Sequence, residues 1–103
     1  MGVKMKHFIV DIRYKIPAGN LGDILPEHRA FLQIGYDKGL LLASGPKEPR
    51  DGGIVVARAN SKEEITEFFK NDPYALHDVA THTVIEFNPV KHQPFLKDWV
   101  EGN

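Results

Sequence analysis

The spacing of apolar residues in this chain changes from a strand-like period of two to a helical period of about 3.6 and back, twice in succession. Residues 7–14 alternate, with Phe8, Val10, Ile12 and Tyr14 on one side and His7, Ile9, Asp11 and Arg13 on the other. That pattern suits a strand with one well-buried face. Loop residues Pro17, Ala18, Gly19 and Asn20 follow, and then Ile24, His28, Phe31, Leu32 and Gly35 recur at helical spacing. Asp23 is the expected N-cap, Pro26 fits in the opening turn, and Gly39 supplies the stop.

The second half repeats the order. Residues 40–44 form an apolar run too short for a helix, so they read as a strand ending at Gly45-Pro46. Residues 47–53 read as loop, and residues 54–59 as a third strand. Ser61 and Glu64 have the Ser-x-x-Glu form of a capping box, opening a helix with Ile65, Phe68 and Phe69 inward. Asp72-Pro73 ends this helix, and Asp72 is placed to cap a short turn beginning at Tyr74. Residues 81–87 alternate as the fourth strand. The tail carries Phe95, Leu96 and Trp99, too much apolar surface for a free terminus, and is expected to dock.

Strand–helix–strand, strand–helix–strand is the ferredoxin-like βαββαβ pattern of the α+β class, and residues 1–103 read as one such domain. Right-handed crossovers place both helices on one face of a four-stranded antiparallel sheet. The other face is expected to carry Ile9 and Val84 among Asp11, Arg13, Glu86 and His82. Its economical cover is a second copy, giving a homodimer packed through the open sheet faces.

Composition narrows the function classes. A net charge of −1 with 26% charged residues offers no electrostatic footprint for nucleic acid or an anionic membrane. The absence of cysteine excludes thiolate catalysis, disulfides and cysteine–zinc sites within the sequence. No apolar run reaches the roughly 20 residues of a membrane helix. The opening residues resemble neither a leader peptide nor a myristoylation signal, so a cytoplasmic protein is expected. His77, Asp78 and His82 lack metal-ligand spacing, and no Gly-rich phosphate loop is present; neither metal nor cofactor is expected.

Topology brings distant residues together. The end of strand 1, the start of helix 1, the end of strand 2 and the turn after helix 2 share one end of the domain. They carry Asp11 and Arg13, His28, Ser44-Gly45-Pro46, and Asp72-Pro73-Tyr74. His28 lies on an apolar stripe, where a histidine can be a simple core residue hydrogen-bonded to backbone. An aspartate at the same end changes the chemistry: it can fix the ring's tautomer and leave the other nitrogen as a general acid or base. Asp72 can equally be only a turn cap. Ser44 lacks a nucleophile elbow and suits a lining role, with Gly45 allowing close approach of a ligand. Tyr74 is a wall residue, and Arg13 a candidate anchor for a substrate carboxylate if it does not pair with Asp11.

On these pieces, over about residues 6–88, the chain resembles the YCII (YciI-like) family. They are the first strand, His28-Arg29-Ala30-Phe31-Leu32, Gly39-Leu40-Leu41-Leu42-Ala43-Ser44-Gly45-Pro46, and Asp72-Pro73-Tyr74. The resemblance implies a dimeric α+β barrel of ferredoxin-like subunits, similar to muconolactone isomerases, with an active site built on His28 and Asp72. Two functions follow as expectations. One is a small cofactorless enzyme performing lyase, isomerase or dehydrochlorinase-like proton chemistry on a small carbonyl or carboxylate compound. The other is a non-catalytic module that binds a small molecule. A free histidine nitrogen facing a cavity favours the first; two nitrogens bonded to protein favour the second.

Overall fold

The computed structural model describes residues 5–103; the part of the leader reading that concerns residues 1–4 lies outside the described residues. The chain forms β1 (Lys6–Tyr14), α1 (Ile24–Asp37), β2 (Leu41–Pro46), β3 (Gly52–Ala59), α2 (Lys62–Phe69), α3 (Pro73–Leu76), β4 (Ala80–Phe87) and α4 (Lys97–Glu101). The strands make one antiparallel sheet in the order β2-β3-β1-β4, the ferredoxin-like arrangement expected from the sequence. Among the described residues no helix is long and apolar enough to cross a membrane.

The core lies between the sheet and its helices. Phe8, Val10 and Ile12 of β1 are fully buried, with Phe31 and Leu32 of α1 and Ile65 and Phe69 of α2 packed in the same core. Each such side chain contributes roughly 1.5–3 kcal/mol by leaving water. Gly35 is required for the close approach of α1, because a Cβ there would lie 2.8 Å from Leu41 and Phe68. Gly39, at φ +74°, turns the chain from α1 into β2.

Two register facts decide what faces the helices. Ile9 pairs with Ile85, and Ile12 with His82, so His82, Val84 and Glu86 share the helix side of the sheet with Phe8, Val10 and Ile12. The expectation that those three lie on the open face is therefore corrected. That face carries His7, Ile9, Asp11 and Arg13 beside Thr83, Ile85 and Phe87. The two alternating sets in β4 are legible locally; which set turns inward depends on its register with β1.

The second fact is a bulge. Leu41 pairs with Ala57 but Ala43 with Val56, so one extra residue stands in β2. The extra residue restores Ser44 to the face of Val55, its partner, and hence to the helix side of the sheet. Strict alternation from buried Leu41 would have turned Ser44 away.

The caps are partly as expected. Ser61 accepts from the Glu64 amide at 3.1 Å, while the Glu64 carboxylate takes the amide of Asn60 at 2.8 Å, one residue outside a strict capping box. Asp72 caps α3 by accepting from the Tyr74 amide at 3.0 Å. Asp23 occupies the N-cap of α1 but makes no side-chain cap, its own backbone being helical (φ −70°, ψ −14°). The tail docks on its own subunit. Trp99 lies 5.3 Å from the His7 ring, and Arg58 donates from Nη1 to the Trp99 carbonyl at 2.6 Å.

Candidate active site

His28 is on the second turn of α1, on the stripe that faces the sheet, and only 7% of it is exposed. Asp72 is held at the start of α3 and is fully buried. Their side chains meet: His28 Nδ1 lies 2.7 Å from Asp72 Oδ1. The same oxygen accepts the Tyr74 amide, and Oδ2 lies 2.8 Å from His82 Nε2. Asp72 is thus both cap and histidine partner, and its two oxygens are shared among three donors.

Burial pushes the Asp72 carboxyl upward. The hydrogen bonds from His28 and His82, the nearby His28 charge and the Tyr74 amide outweigh that, and hold the group below the ordinary carboxylate value. An ionised carboxylate only accepts hydrogen bonds. His28 Nδ1 and His82 Nε2 must therefore both carry protons. In neutral His28 this leaves Nε2 with a lone pair, and among the described residues no side chain or backbone group bonds it. The ring is also fixed in plane. It stacks on Tyr74 with centroids 3.8 Å apart and 6° between planes. Burial, and next the neighbouring Tyr14 hydroxyl, raise the Tyr74 phenol well above the usual tyrosine value, so it stays protonated.

His28 and Tyr74 line a cavity of about 410 Å³ with Ser44, Gly45 and Pro46. The bulge in β2 is what sets Ser44 there. Its Oγ is 2.7 Å from the Tyr36 hydroxyl, and this bond, rather than one to His28, fixes the serine. Arg13 is not in the lining. It is exposed on the open face, because β1 sends Ile12 and Tyr14 to the cavity and Arg13 to the opposite side. Asp11 pairs with Lys47 instead of Arg13, since residues two apart on a strand point the same way without touching. The cations that do line the cavity are Arg29 of α1 and Arg50 of the β2–β3 loop.

Sequence reasoning missed three parts of this site. The sequence reading puts His82 on the open face and finds no metal-ligand spacing around it; its place beside Asp72 requires the β1–β4 register. Arg29 follows His28 directly and was readable only as an exposed helix residue. Arg50 lies in a loop whose path no periodicity encodes. His77 faces Glu27 at 3.6 Å, away from His82. Among the described residues no three potential ligands are grouped to hold a metal ion.

Fold and site together define a ferredoxin-like α+β domain with a histidine–carboxylate–histidine centre buried beside a cavity. A family model described as the YCII-related domain matches residues 8–88, and the chain belongs to that family. Among solved structures it is similar to the 5-chloro-2-hydroxyhydroquinone dehydrochlorinase of Burkholderia phenoliruptrix, determined in complex with 2,5-dihydroxybenzoquinone. The TM-score is 0.61 at 19% identity, covering 86% of this chain and 97% of that one, a likeness of fold. No curated protein sequence matches the chain.

Proposed function

We propose that this protein is a small enzyme that moves a proton at a carbon next to a carbonyl, with His28 as the base and Asp72 as its positioning partner. The observation that carries the reading is the division of the His28 ring: Nδ1 is bonded to Asp72 at 2.7 Å, and Nε2 is left without a protein partner on a residue that lines the cavity. A ring nitrogen with a lone pair beside a cavity is what a general base needs, and a second bond to protein would have removed it.

The chemistry follows from that geometry. Nε2 takes the carbon-bound proton, and the electron pair of the broken C–H bond moves toward the carbonyl, forming an enolate. The new imidazolium faces the Asp72 carboxylate, which stabilises it without moving. Return of the proton to another carbon completes an isomerisation; expulsion of a leaving group by the enolate completes an elimination, as in dehydrochlorination. Ser44, Gly45, Pro46 and Tyr74 bound the substrate, and no resident cofactor enters either route. The fold is shared with a dehydrochlorinase that acts on a small oxygenated ring, and a 410 Å³ cavity holds a molecule of that size. We propose further that the open sheet faces of two subunits meet, and that the protein works in the cytoplasm.

The test is deuterium exchange at the α-carbon of a panel of small keto compounds, followed by NMR. His28→Gln should reduce exchange by about 10²–10⁴-fold in a protein that remains folded. A stable His28→Gln protein with undiminished exchange would end the reading. Saturable binding of the same compounds with no exchange by the native protein would favour the non-catalytic module.

A further inference from the structure

The geometry points to a small organic acid as the ligand of this cavity, its carboxylate held between Arg29 and Arg50. The inference rests on the proposed use of the cavity beside His28 and adds the chemical class of what enters it.

The first support is the charge of the walls. Arg29 and Arg50 line the cavity, and no aspartate or glutamate does. Asp72 is buried behind His28 with both oxygens already bonded. The second is the state of the two guanidinium groups. Some lysines elsewhere pair with acids, as Lys15 does with Asp78 and Lys47 with Asp11, while others among the described residues, such as Lys38 and Lys62, stand alone on open surface. Among the described residues Arg29 and Arg50 have neither an ion-pair nor a hydrogen-bond partner. An unpaired cation on an open surface is simply hydrated. Two of them in one concavity without a counter-charge make a site that favours an anion over a neutral molecule.

Their placement adds directionality. Arg29 comes from α1, next in sequence to His28, and Arg50 from the loop between β2 and β3, so the groups reach the cavity from different elements. The Arg50 charge is felt at the Tyr74 phenol, which stacks on His28. A planar fork of donors matches a carboxylate in two-point contact, which a lysine ammonium does not. The remaining walls select the body of the ligand. Ile12, Leu25, Leu32 and Val55 present aliphatic surface, which suits a ring or short carbon chain and offers nothing to a fully hydrated inorganic anion.

The experiment titrates the protein with benzoate, benzamide and inorganic phosphate, following backbone amide resonances by NMR. Benzoate has no acidic C–H next to its carbonyl, so binding is read without turnover. Benzoate should perturb residues of the cavity and bind at least about tenfold more tightly than benzamide, the difference one charge-assisted contact supplies. Arg29→Gln and Arg50→Gln should each weaken benzoate by about tenfold and leave benzamide unchanged. Both side chains are exposed, so the variants should melt with the native protein. Lys62→Gln, which removes a positive charge from the exposed start of α2, should bind benzoate normally. Equal binding of benzamide and benzoate, no effect of either arginine substitution, tighter binding of phosphate, or no benzoate binding at tens of millimolar would each overturn the proposal. If the arginine effects appear but α-proton exchange never does, the acid site stands and the enzyme reading falls. If exchange depends on His28 but not on either arginine, the reverse holds.

Discussion

Asp72 combines two tasks that are separable in principle: it starts α3, and it orients His28. The carboxylate meets both because Oδ1 accepts from the Tyr74 amide and from His28, while His82 takes Oδ2. Its depressed pKa has a consequence for stability. The unfolded carboxyl titrates near 3.9 and the folded one below that, so the folded state binds fewer protons between the two values. The stabilisation is therefore full above about pH 4 and is lost as pH falls through the folded value. Asp72→Asn should remove part of this acid limb, and cost about 1.5–3 kcal/mol near neutral pH through weaker hydrogen bonds. Urea melts from acid to neutral pH check it; parallel acid limbs in the two proteins would show that other carboxylates govern acid unfolding. Of this centre, His28 and Asp72 were legible in sequence because an apolar helix stripe and an Asp-Pro turn are local signals. His82 was not, because its inward direction belongs to a pairing with Ile12, seventy residues earlier in the chain.

At the scale of elements, the tail packs against its own chain. α4 lies against the β1–β3 end of the sheet, with Trp99 near His7 and the Arg58 guanidinium 5.3 Å from the Trp99 ring centre. The contact is local to one subunit, although Phe95 and Val90 remain more than four-fifths exposed. Truncation after Val90 should lower stability by about 1.5–3 kcal/mol, the worth of one large apolar side chain leaving water. Burial lowers the His7 pKa despite backbone hydrogen bonds that raise it, with Arg58 and His92 adding to the depression. The unfolded histidine gains its proton near pH 6.5, above the folded value, so stability should fall as pH drops below that point. His7→Phe should flatten the decline, and an unchanged slope would mean that His7 titrates freely despite the tail.

At the scale of the whole molecule, the sheet face opposite the helices keeps an apolar strip exposed among the described residues. Ile9 pairs with Ile85, and His7 with Phe87, on the sheet face opposite the helices, and Ile85 and Phe87 are 48% and 40% exposed. A second copy is the cover we propose. Sedimentation equilibrium should give a dimer, and Ile85→Lys should shift it toward monomer by placing a charge in the centre of the contact. A native protein that sediments as a monomer at every concentration would exclude this assembly.

The order of the elements followed from the sequence alone, because period-two and helical spacing are local properties of a chain and breakers such as Gly39 and Asp72-Pro73 sit where segments end; Gly52 and Gly53, which read as loop, instead open β3. The convergence of His28, Ser44-Gly45-Pro46 and Asp72 at one end of the domain followed from that order, since antiparallel strands and right-handed crossovers leave little choice of where loops meet. In β2 and β4, tertiary structure alone decided which way the residues turned. A strand's two faces are equivalent until a neighbour distinguishes them, and one bulge or one step of register exchanges them. That is why Ser44 faces into the cavity, and why His82 bonds to Asp72 on the buried side of the sheet; Arg13 faces away from the cavity as the alternation of β1 already implied.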